Sequence, residues 1–177
     1  MKKLVLLLSI ILSVQAFAQK DPYGLVVTDS DMEKFSDYTK ERMKESSDAI
    51  CACIKEHQEP YDAFNEYVMR ATKAKQNKDE KELEKTTAQV NDMVMSIIPF
   101  VNCMGEKRKS MPDIEDKEAH DKEFIAAFPD YDTSGENLEV AKMRVGVYFI
   151  ENNCKGEGEK FNVFSAFMNG LSKGMKK

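Results

Sequence analysis

The residues best equipped for chemistry are four cysteines, Cys51, Cys53, Cys103 and Cys154, with His57 four residues beyond Cys53. Four thiols are an even set, and in an exported chain disulfides are their default use. Four cysteines allow three pairings. Cys51 and Cys53 lie two apart on a helical segment, about 200° around its axis, so their side chains diverge and a bridge between them is disfavoured. Each is therefore expected to take one of Cys103 and Cys154, and the order is open because Pro99 re-phases Cys103. The same cluster permits a sharper use. Cys53 and His57 share one helix face at a spacing that suits a metal, and other thiolates could complete a tetrahedral zinc site. A thiol-redox role for Cys51-Ala52-Cys53 is opposed by the same helical divergence.

Asp130-Tyr-Asp132-Thr-Ser134-Gly135-Glu136 resembles the front half of an EF-hand calcium loop. Asp130, Asp132 and Ser134 fall at loop positions one, three and five, and Gly135 at the turn position. The back half departs from the pattern: Asn137 stands where an aliphatic residue belongs, and Ala141 where a bidentate Glu should close the sphere. The simpler expectation is a polar turn in which Asp132, Thr133 or Ser134 caps the next helix. Eleven Met suggest copper(I), but the one close pair, Met93 and Met95, diverges on a helix, which leaves core filling. His120 lies among Glu118, Asp121 and Glu123 and is expected to be solvated. No Gly-rich phosphate loop, H-E-x-x-H or C-x-x-C-H occurs, and two histidines leave few candidates for a catalytic triad.

The elements that must position these groups are helical. Residues 1–18 read as a signal peptide: Lys2 and Lys3, an apolar run over 4–12, then Ala16-Phe17-Ala18 as a cleavage site. The run is shorter than the roughly 20 residues a membrane anchor needs. Cleavage leaves 159 of the 177 residues beginning at Gln19, and the loss of two lysines takes the formal charge from −5 to −7. Residues 19–28 read as a short arm, and 29–177 as one helical-bundle domain. Apolar periodicity predicts helices over 29–57, 60–77 (opened by Pro60), 79–105 (kinked at Pro99), 115–128, 136–154 and 159–175. Residues 105–115, with Lys107-Arg108-Lys109, read as a solvated connector. The helix at 136–154 is apolar on two faces and should be buried between neighbours.

The fold class expected is all-α: an antiparallel bundle of five or six helices stapled by disulfides at one end. The acidic balance argues against nucleic acid. The function expected is that of an exported, non-enzymatic binding or interaction protein of the cell envelope, periplasmic or extracellular, whose partner is an unspecified protein or small molecule. No cofactor is expected, nor a membrane span in the mature chain. The alternative is a metal-binding or thiol-redox envelope protein, using either the Cys51/Cys53/His57/Cys103/Cys154 end or the Asp130 loop.

Overall fold

A computed structural model describes residues 25–174, with side-chain surroundings through Met168. The signal peptide read at 1–18, residues 19–24 of the arm and residues 175–177 lie outside the described residues. The regular structure described is entirely helical: α1 (Asp29–Met32), α2 (Asp37–Glu56), α3 (Gln58–Gln76), α4 (Glu80–Ser110), α5 (Lys117–Ala127), α6 (Glu136–Asn153) and α7 (Gly158–Gly174). No described helix is long and apolar enough to cross a membrane.

Among the described residues seven helices stand where the sequence suggests five or six, because its first segment divides at residues 33–36. Each of the two helices has its own N-terminal cap. Asp31 accepts hydrogen bonds from the Thr28 N–H at 3.0 Å and the Thr28 hydroxyl at 2.7 Å, capping the start of the single-turn α1. Ser36 Oγ then accepts from the Thr39 N–H at 3.2 Å and starts α2 afresh. Pro60 sits third in α3 rather than first, a position equally free of an intrahelical donor. α4 runs through Pro99 and continues to Ser110. Pro99 lies on the exposed side of the helix, where water can serve the Met95 carbonyl that loses its donor. Lys107, Arg108 and Lys109, read as part of a loop, form the last turn of α4, where cations are favoured by the carbonyl end of the helix dipole.

The chain read from sequence as one bundle over 29–177 gathers into two compact units. The first holds residues 25–53 and 103–158, that is α1, most of α2, the end of α4, α5 and α6. Its core joins Met32 and Phe35 to Phe124, Ala127 and Phe128 of the α5 region and to Ala141 and Val145 of α6. Phe35 meets the Phe124 ring edge-on at 4.9 Å between centroids. Leu25 and Val27 of the arm also pack here. None of residues 140–150 is exposed, in keeping with an α6 that is apolar on both faces.

The second unit holds residues 54–102 and 159–174, comprising α3, most of α4, and α7. Aromatic rings fill it. Phe164 of α7 lies 5.0 Å from Phe100, 5.9 Å from Phe64 and 6.1 Å from Tyr61, and Phe167 lies 5.1 Å from Phe64. Val68, Ala71, Val90 and Ile97 are among the other buried residues of this unit. Lys160 binds Asp62 at 2.7 Å and ties the first turn of α7 to α3.

Candidate functional site

The four cysteine sulfurs come together in the first unit as two disulfides. Cys51 bonds to Cys154 (Cα–Cα 5.9 Å) and Cys53 to Cys103 (5.8 Å). The divergence of Cys51 and Cys53 on α2 aims one at the end of α6 and the other at α4. Cys53 is fully buried, while the other three are half-buried. Polar contacts reinforce the Cys51–Cys154 side: the Asn153 side-chain amide donates to Ser47 Oγ and, at 2.9 Å, to Asp48 Oδ1. Beyond Cys154 the chain turns at Gly156, whose φ of +84° favours glycine, and the Glu151 carboxylate accepts from the N–H groups of Gly156 (2.9 Å) and Gly158 (3.0 Å).

The bonds bear directly on the chemistry expected of this end. With every cysteine paired, no thiolate remains as a metal ligand or redox nucleophile while the bridges stand. The Cys53/His57 pair proposed for zinc thus has its sulfur committed to Cys103. His57 is half-buried, its Nε2 3.8 Å from Glu56 Oε1, and it occupies the N-cap position of α3.

The Asp130 loop joins α5 to α6. Asp132 Oδ1 accepts the Ser134 N–H at 3.0 Å, and these bonds from Ser134 hold the Asp132 carboxyl below its ordinary range. Asn137 Nδ2 reaches Asp132 Oδ2 at 3.5 Å. Gly135, at φ +56°, occupies the N-cap position without a side-chain cap, so Asp132 supports the turn from outside the helix instead of capping it. Asp130, Ser134 and Glu136 are exposed. Among the described residues, Asp130, Asp132 and Glu136 do not converge into a group of three ligating side chains.

The group that the sequence reading misplaced is His120. It is only 5% exposed, its ring stacked obliquely on Phe124 at 5.0 Å, and neither ring nitrogen has a hydrogen-bond partner. Its spacing could have revealed this: His120, Phe124 and Ala127 stand at i, i+4 and i+7, the buried stripe of α5. The acids around it look outward to other partners. Asp121 binds Lys142 of α6 at 2.7 Å, and Lys142 also binds Glu139 at 2.8 Å. Glu123 accepts from the Ser36 N–H at 3.0 Å and the Ser36 hydroxyl at 2.8 Å, locking α5 to the start of α2. The Lys142 hydrogen bond holds the Asp121 carboxyl low. Burial raises Glu123, but the Ser36 bonds outweigh it and keep that carboxyl ionised. For His120, burial comes first and the Lys142 cation second in pushing the imidazole below its ordinary value, against weaker pulls from Asp121 and Glu123.

The end of α5 is also held. Lys34 Nζ donates to the Ala127 carbonyl at 2.8 Å and pairs with Asp31 at 2.8 Å. Its start is capped by Asp116, which accepts the Ala119 N–H at 2.8 Å. His120 therefore sits on a short helix pinned at both ends.

Comparison with protein-family models, with curated proteins and with solved structures gives no match to this chain.

Proposed function

We propose that the protein is an exported helical bundle of the cell envelope that works by binding another protein, not by catalysis. Two disulfides support the oxidising address, since such bonds persist in exported proteins and are rare in reducing compartments. The observation that carries the interaction reading is the outer face of α4. Residues 86–105 contain one ionisable side chain with a free charge, Asp92, in a chain that is 32% charged. On that face Met95 is 74% exposed and Ile98 39%, next to exposed Ala88, Asn91, Ser96, Pro99 and Asn102. Charge depletion around an exposed methionine is the composition of an interface centre, and the partner that fits it is an uncharged, apolar protein surface.

A photo-crosslinking residue placed at position 95, with position 84 on the same helix as control, tests this in the producing cell. Glu84 is exposed, beyond the neutral stretch. The expected result is a discrete protein adduct from position 95 and none from 84, lost when Ile98→Glu is added. Equal labelling from both positions, or none from 95, contradicts an interaction role for this face.

A further inference from the structure

Buried histidines usually find a hydrogen-bond partner, and an unsatisfied one in a well-packed core calls for a reason. We propose that the His120 niche is a pH-sensitive latch: a proton taken up by the His120 ring below neutral pH loosens α5 from α6 and from the 35–39 segment of the first unit.

The geometry makes a cation here expensive. The ring lies 5% exposed against Phe124, itself fully buried and in edge contact with Phe35, so an imidazolium would sit beside aromatic carbon without water. The charged groups acting on the ring are Asp121 and Glu123 of its own helix and Lys142 of α6. Asp121 Oδ1 is 3.9 Å from His120 Nδ1, too far for a hydrogen bond, and is already held by Lys142. Glu123 is held by Ser36. The 35–39 segment adds Thr39, uncharged and 1% exposed. A protonated His120 competes with Lys142 for Asp121 and with Ser36 for Glu123, the ties that join α5 to its neighbours.

The sign follows from linkage. The unfolded ring binds its proton near pH 6.5, and the folded ring at a lower pH. Stability from the neutral, buried ring is fully present above about pH 6.5 and is lost as pH falls through the folded value. Each pH unit in that window shifts the opening equilibrium up to about tenfold.

Two measurements test the latch on the disulfide-bonded protein. The chain has only two histidines, so His57→Gln assigns the two imidazole Cε1–H resonances by difference. Hydrogen-exchange protection of residues 117–127 and 136–153 is then followed from pH 7.5 to 5.5, with wild type beside His120→Phe and His120→Asn. The expected result is a His120 resonance titrating below the free imidazole, and wild-type protection falling severalfold in step with it. Protection should stay level in whichever variant folds. A ring that titrates at or above the free value, or protection that falls equally with and without His120, overturns the proposal. So does a titration that leaves wild-type protection unchanged. The latch does not depend on the interaction reading of α4.

Discussion

Removal of the Cys51–Cys154 bridge by paired Cys51→Ala and Cys154→Ala substitutions is expected to cost about 5 kcal/mol. The bridge spans 103 residues, and in the chain-entropy description it denies the unfolded chain a correspondingly large set of conformations. Cys53–Cys103 spans 50 residues and should contribute about 4 kcal/mol by the same reasoning. The two closed loops overlap, so the losses should not add. At about 2–4 °C per kcal/mol for a chain of this size, either loss lowers the melting temperature by roughly 8–20 °C. Both partners of each bridge belong to the first unit. Exchange protection should therefore fall first in residues 37–53 and 117–153, and less in 58–76. Thermal melts with and without reductant, followed by exchange on each pair variant, check both points. A melting temperature within a few degrees of wild type after reduction would show that the bridges are ornamental.

The second large effect is expected at Phe164. Its ring is buried in the second unit and faces Tyr61, Phe64 and Phe100 at 5.0–6.1 Å. Phe164→Ala removes the ring and leaves a cavity between α3, α4 and α7, at about 3–5 kcal/mol. Phe164→Leu keeps most of the volume and should cost clearly less. Met95→Ala, on the exposed face of α4, should stay within about 0.5 kcal/mol. Denaturant titrations of the three variants give the order directly. A Phe164→Ala loss no larger than that of Met95→Ala would contradict the packing described for this unit.

How far the sequence reveals this protein can be judged residue by residue. Helical periodicity places α3, α6 and α7 to within about two residues, because each carries an apolar stripe bounded by Pro, Gly or a capping side chain. The break at 33–36 is not visible in periodicity, since Met32 and Phe35 keep a helical spacing across it. It coincides with Ser36 serving as the cap of α2, and short polar residues are common without that role. The extension of α4 through Lys107-Arg108-Lys109 is hidden for a related reason: the turn is exposed, so hydropathy carries no signal there. The divergence of Cys51 and Cys53 can be read from 100° per residue, whereas their partner order depends on the tertiary approach of α4 and α6. His120 is the instructive case. Its immediate neighbours are acidic, which suggests solvent, but its i+4 and i+7 neighbours are Phe124 and Ala127, and on a helix those are the ones that share its face.

The central claim is an exported helical protein whose first unit is closed by Cys51–Cys154 and Cys53–Cys103. Non-reducing mass spectrometry of protein recovered from the envelope tests it most directly. No trypsin site separates Cys51 from Cys53, so the digest should yield three peptides joined as one species, and fragmentation between Cys51 and Cys53 assigns each partner. The expected result is an intact mass that begins at Gln19 and lacks four thiol hydrogens, with Cys51 on the Cys154 peptide and Cys53 on the Cys103 peptide. A mature form that retains residues 1–18, a Cys51–Cys53 bridge, the reversed pairing or free thiols would contradict it.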